Sequence, residues 1–178
     1  MSDIATKLTT IAENQIRIRD KAYEQGAAES AALIDRTVDT IDRDDITEIG
    51  NGAFYYAQNL TTARFKNATH VGNSAFGYCQ KLFKIDFHNV QYIDTAAFAN
   101  CSSLSAIIIR RQQGICSLAA ATSLPTSSKL FIYVPGKLLN NYKSATNWAS
   151  HAAKIRALED YTTNGTANGD LDPNKTGA

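Results

Sequence analysis

Three histidines (His70, His88 and His151) and three cysteines (Cys79, Cys101 and Cys116) are the side chains best suited to proton transfer, nucleophilic attack or metal ligation in this 178-residue chain. Their spacing assembles none of these. No two histidines stand four apart with a carboxylate, as a metal-binding helix requires. There is no C-x-x-C pair, and an odd number of cysteines suits neither a disulfide scaffold nor a zinc site, so reduced thiols are expected. Cys79 and Cys101 stand 22 residues apart, which suggests a disulfide or ligand pair, but the matching position one unit earlier is Ala57. That substitution keeps size and drops sulfur, so the thiols read as small buried hydrophobes. The chain also lacks a G-x-S-x-G elbow, a glycine loop before a helix that could hold phosphate, and an acidic triplet of Ca²⁺-loop spacing. Asn59-Leu60-Thr61 and Asn67-Ala68-Thr69 match the glycosylation acceptor pattern by accident on this reading. The expectation is a chain that is not an enzyme and has no catalytic, cofactor or metal residues.

Binding chemistry is the remaining option. With Lys+Arg 18 against Asp+Glu 17 the net charge is +1, too little for a global field that would recruit nucleic acid, an anionic membrane or an acidic substrate. Recognition must then be local. Lys66, His88 and Arg110 recur at one 22-residue offset, with Arg111 beside the last, and would stack into a basic stripe facing an anionic polymer such as teichoic acid, or an acidic protein patch. With only three coils, the same positions are read first as a solvated face with chance charges, His88 included, and second as a binding stripe. The adjacent row would hold Arg64, Asp86 and Ile108, and Tyr55, Tyr56 and Tyr78 near the turns offer a second surface.

What must position these residues is an internal repeat. Ile46–Phe54 aligns with 68–76 and again with 90–98, so that Phe54, Phe76 and Phe98 fall in one register, as do Ile49, Val71 and Ile93; Ala57, Cys79 and Cys101; Leu60, Leu82 and Leu104; and Phe65, Phe87 and Ile109. Within a unit, Ile85 in, Asp86 out, Phe87 in and His88 out is strand periodicity, predicting one short strand per coil of about 22 residues. The Ala-Phe-x-x-Cys-x-x-Leu part has apolar residues three apart, suiting a tight helical or 3₁₀ return. Gly50, Gly72 and Asp94 are the expected turn positions. A lone coil cannot cover its apolar face, so stability must come from stacking.

The unit Val71-Gly72, Ala75-Phe76, Cys79, Leu82, Ile85 and Phe87 resembles the BspA-like class of leucine-rich repeats over roughly residues 46–110. Ile132-Tyr133-Val134-Pro135, followed by 142–148, resembles the closing segment of such repeats in proteins encoded by bacteriophages and prophages of Gram-positive bacteria. That resemblance implies a virion structural protein of tail, baseplate or fibre, located in the virion after synthesis in the host cytoplasm, with other virion proteins or a host cell-surface polymer as partners. BspA-like repeats also resemble bacterial cell-surface or secreted adhesins, the alternative reading.

The ends complete the expected α+β architecture, a short leucine-rich-repeat-type solenoid with an N-terminal helix and a C-terminal helical cap. Residues 1–43 are read as a helical oligomerisation or docking segment. Ile4, Leu8, Ile11, Gln15, Ile18, Ala22 and Gln25 keep the a/d spacing of a coiled coil, while Ile34, Val38 and Ile41 form a second stripe. Folding of these helices onto the first repeat is the other option; as an oligomer, the resemblance to phage fibres implies a parallel trimer. The opening residues lack the basic start and apolar run of a secretory signal, so synthesis and folding in the cytosol are expected, without membrane insertion. Residues 44–128 hold the solenoid, with 111–128 as an irregular fourth coil. In 129–161 a last strand ends at Pro135 and helix follows from about Lys137 to Leu158, broken near Thr146-Asn147. Residues 162–178 read as a flexible tail.

Overall fold

The computed structural model of this chain describes residues 39–159. They wind as parallel coils whose strands build two ladders. Strands β1 (Thr40–Arg43), β3 (Thr62–Phe65), β5 (Lys84–Phe87), β7 (Ala106–Ile109), β9 (Phe131–Val134) and β10 (Ile155–Ala157) form one sheet in the order β1-β3-β5-β7-β9-β10. Two-residue strands β2 (Glu48–Ile49), β4 (His70–Val71), β6 (Tyr92–Ile93) and β8 (Ser117–Leu118) form the second. Each regular coil therefore carries two strands, which corrects the expectation of one. The second is too short to show alternation in sequence, and it exists because each coil supplies the partners of the next: Val71 pairs with Ile49 and Ile93, and the Gly72 N–H donates to the Ile49 carbonyl at 2.8 Å.

The register Phe65↔Phe87↔Ile109 holds the 22-residue offset through the longer ladder. Parallel strands lie ~4.8 Å apart, close to the separation at which aromatic rings stack. Phe54, Phe76 and Phe98 stack with ring centroids 5.0 and 5.3 Å apart, and Phe65 on Phe87 at 5.9 Å. All five are buried, together with Leu60, Leu82 and Leu104. Cys79 and Cys101 are buried free thiols in this core, each 3.0 Å from a carbonyl of the preceding coil, those of Phe54 and Phe76.

The return segments are hydrogen-bonded turns and not helices. Ala53, Tyr55 and Ala57 donate three residues back, to Gly50, Gly52 and Phe54, while Gly52, Phe54 and Tyr56 donate to Asn73, Ala75 and Gly77 of the next coil. Alternate N–H groups thus bond within the coil and between coils. The left-handed residues that shape this path are Gly52, Ser74 and Ala96 in one register and Tyr56, Tyr78 and Asn100 in another, not the expected Gly50, Gly72 and Asp94. Gly72 is needed for space instead: a Cβ there would lie 2.6 Å from Asn51 Oδ1 and 2.7 Å from its backbone nitrogen.

Both ends depart from the sequence reading. β1 lies within the span assigned to the N-terminal helical segment, and Ile41 packs on the solenoid core from a strand. The remaining stripe residues, Ile4, Leu8, Ile11, Gln15, Ile18, Ala22, Gln25, Ile34 and Val38, lie outside the described residues, as does the tail 162–178. At the other end the expected helix over 137–158 is a 3₁₀ turn Gly136–Leu138, a six-residue helix α1 (Leu139–Ser144), a 3₁₀ segment Ala149–Lys154 and then β10. Ile155 and Ala157 are buried with Arg156 between them, a strand alternation, so β9 is not the last strand. The fourth coil runs through β8 and a 3₁₀ turn Ala121–Ser123, whose Ser123 carbonyl accepts from Phe98 N–H at 2.9 Å and so continues the inter-coil bonds of Phe54 and Phe76.

Candidate binding surfaces

The outward side of the longer sheet places residues of successive strands in rows, and two of these rows hold the residues expected on the binding face. One runs Asp42, Arg64, Asp86, Ile108 and Tyr133. The other follows the strand ends, where Lys66, His88 and Arg110 donate their N–H groups to Arg43, Phe65 and Phe87. Lys66, His88 and Arg110 therefore occur in the sequence-predicted row, but each fixed cation has a carboxylate beside it. Arg64 Nε lies 2.7 Å from Asp42, Arg64 also reaches Asp44 at 3.8 Å, and Lys66 reaches the same Asp44 at 3.7 Å. Arg110 grips Asp86 through Nε at 2.9 and 3.0 Å and through its terminal nitrogen at 2.8 Å, the fork geometry that fixes a carboxylate most firmly. Three carboxylates, of Asp42, Asp44 and Asp86, thus stand among Arg64, Lys66 and Arg110, and little uncompensated field is left along the stripe. Asp42 and Asp44 were missed by the sequence reading although the signal was present: the same 22-residue step back from Arg64 and Lys66 lands on them.

Two further placements differ from expectation. Ile108 does not sit on a solvated face. With Ala106 and Tyr133 it forms a second buried apolar cluster on the outward side of the sheet, flanked by Phe131 and Leu158, and the Arg156 guanidinium lies 5.1 Å from the centre of the Phe131 ring. Arg111, expected beside Arg110 on the stripe, is half-buried, and its charge opposes the burial that pushes the Cys116 thiol and the Tyr142 phenol well above their ordinary values.

His88 is the titratable member of the stripe. Burial lowers its pKa below the ordinary 6.5; Asp86, 3.9 Å away, raises it; and Arg110, Arg64 and Lys66 lower it further. A depressed histidine pKa means that the unfolded chain takes up the proton more readily than the folded one. The stability linked to neutral His88 is therefore present above pH 6.5 and is lost as pH falls through the lower folded value. The urea midpoint is expected to fall on acidification from neutrality, and His88→Gln should flatten that slope. An identical slope in the variant would assign the pH dependence elsewhere.

The remaining histidines are structural in their surroundings. His151 is buried, with Nε2 2.9 Å from the Ala121 carbonyl, and His70 lies against Tyr92 with centroids 5.0 Å apart. Among the described residues no group of three or more His, Cys, Asp or Glu could hold a metal, and no helix is long and apolar enough to cross a membrane. On the turn side, Tyr55, Tyr56 and Tyr78 come together with centroids 5.4 to 6.2 Å apart.

Residues 37–120 match the family described as the BspA type leucine rich repeat region, in six copies. No curated protein matches the chain. Leucine-rich repeats are generally modules for protein or surface interaction and not enzymes.

Proposed function

We propose, from a leucine-rich repeat region of BspA type over residues 37–120, that this chain is a binding component of a bacteriophage particle, in its tail, baseplate or fibre. The observation that carries the binding half is the in-register stacking of coils, which turns each repeated position into a row of side chains at fixed spacing. The particle half is supported by the resemblance of 132–135 and 142–148 to closing segments of phage-encoded repeats. In this reading the residues before β1 join copies of the chain as a parallel trimer and dock them on other virion proteins, and the repeat presents its faces to a neighbouring component or a host surface polymer.

Proteomics and gold labelling of particles from an induced lysogen carrying the gene test both halves. The expected result is the chain on the tail, at a copy number divisible by three. Particles lacking the chain, with the protein instead in the cell-wall fraction of uninduced cells, would replace this reading by the bacterial adhesin.

A further inference from the structure

The turn side of the solenoid differs chemically from the charged strand face. Residues 51–58, 73–80 and 95–102 occupy equivalent positions in three successive coils, and none of them is Asp, Glu, Lys, Arg or His. Their exposed and half-exposed side chains are amides, hydroxyls and phenols, with the methyls of Ala96 and Ala99. Two charges border it: Lys81, which donates to the Asn59 amide oxygen at 3.1 Å, and Asp94, which accepts from Thr95 N–H at 2.6 Å.

Within this neutral surface three tyrosines make one aromatic patch. Tyr56 is 51% exposed and Tyr78 37%, and with Phe83 they are the exposed large hydrophobics among the described residues. Tyr55 packs edge-on against Tyr78 at 5.4 Å, and Tyr56 lies 6.0 Å from Tyr78 with its ring tilted by 33°. Two features show that the patch is built. A Cβ at Gly77 would lie 2.9 Å from the Tyr55 ring, so the glycine leaves the floor on which that ring rests. Tyr56 and Tyr78 also hold left-handed backbone, φ 65° and 61°, which costs an L-residue about 1–2 kcal/mol, whereas the equivalent position in the third coil is Asn100 at φ 59°. Asparagine takes this conformation more easily than tyrosine, so local backbone preference does not account for two exposed phenols there.

We infer that this face docks a neutral glycan, with pyranose rings lying on Tyr56 and Tyr78 and hydroxyls hydrogen-bonded by the amides of Gln58 and Asn100. The C–H bonds on one face of a sugar ring carry partial positive charge and meet the negative π-face of tyrosine, while the phenol and amide groups replace the water of the sugar hydroxyls. Gln58 is already oriented, because its Nε2 donates to the Tyr78 carbonyl at 2.8 Å and leaves its oxygen as an acceptor. An anionic polymer would find only Lys81, at the edge of the surface, with the Asp94 carboxylate at another edge opposing it. A polyproline ligand needs slots between separated rings, and these rings close against one another. The inference stands whether or not the chain is carried on a particle.

The test uses the full chain with cellohexaose, chitohexaose and dextran as probes, read by titration calorimetry and tyrosine fluorescence, with decaproline as the competing class. At least one glycan should bind, with an affinity that does not change from low to high salt. The double variant Tyr56→Asn/Tyr78→Asn copies the third coil, so it should fold with an unchanged or raised melting temperature and bind about tenfold or more weakly. Tyr56→Phe/Tyr78→Phe keeps the rings and should keep most of the affinity. The inference is overturned if none of the three glycans binds, if binding is salt-dependent, if the asparagine variant binds as tightly as the parent, or if decaproline binds in their place.

Discussion

Replacing Phe76 by Ala should lower the unfolding free energy by about 4 kcal/mol, a large share of the ~5–15 kcal/mol available to a domain. Phe76 is fully buried between Phe54 at 5.0 Å and Phe98 at 5.3 Å, with Phe65 at 6.0 Å across the coil. The substitution removes the transfer energy of one ring, opens a cavity that fixed strands on both sides cannot close, and breaks two stacked contacts at once. In a solenoid each coil touches only its neighbours, so damage to a middle coil weakens the interfaces on both sides. Cys79→Ala, in the same coil, is the control. Ala57 already fills that register one coil earlier, so the loss should stay below about 1.5 kcal/mol. Urea unfolding of both variants measures the contrast, and similar losses for the two would show that ring stacking does not hold the coils together.

The 22-residue period was legible because one side of each coil is filled by a few large residue types at fixed offsets: Phe54, Phe76 and Phe98, or Leu60, Leu82 and Leu104. Where the type changes, the period fades although the geometry continues. β1 is a full member of the longer sheet, but Arg43 stands in register with Phe65 and Ile41 with Ala63. With no phenylalanine to anchor the alignment, the strand was read as part of a helical stripe, and Asp42 within it and Asp44 just past its end were lost as counter-ions. The fourth coil fades for a similar reason, since Ser123 supplies the inter-coil carbonyl where Ala75 and Ala97 do so earlier. β10 was hidden by coincidence: Trp148, Ala152 and Ile155 are spaced as on a helix, and only pairing with β9 makes Ile155–Ala157 a strand. The Tyr55, Tyr56 and Tyr78 cluster was visible as residue types near turns. Its Gly77 floor and left-handed backbone were not, because they depend on what the adjacent coil places opposite.

The second large effect concerns how the short ladder ends. β8 is its terminal strand: Ser117 N–H donates to Gln91 and Ala119 N–H to Ile93, so Cys116 turns its N–H and carbonyl away from the ladder. Two aromatic side chains stand where another strand would be. Tyr142 Oη accepts from Cys116 N–H at 2.8 Å, Trp148 Nε1 donates to the Cys116 carbonyl at 2.7 Å, and the two rings pack edge to face at 5.2 Å. Asn147, left-handed at φ 65°, adds its amide to the Leu118 and Ala119 carbonyls at 2.7 and 3.0 Å. Trp148→Ala should therefore cost about 4 kcal/mol, from the cavity of a fully buried indole together with a buried carbonyl left without its donor. Trp148→Phe retains most of the ring and removes the donor, so its loss should be smaller, about 1–3 kcal/mol. Thiol reactivity localises the damage. Burial holds the Cys116 thiol far above its ordinary pKa, hence inert, and in Trp148→Ala it should react with an aromatic disulfide reagent under native conditions well before Cys79 or Cys101. Equal reaction of all three thiols would mean that the solenoid opens as one unit and that the aromatic pair does not guard its end separately.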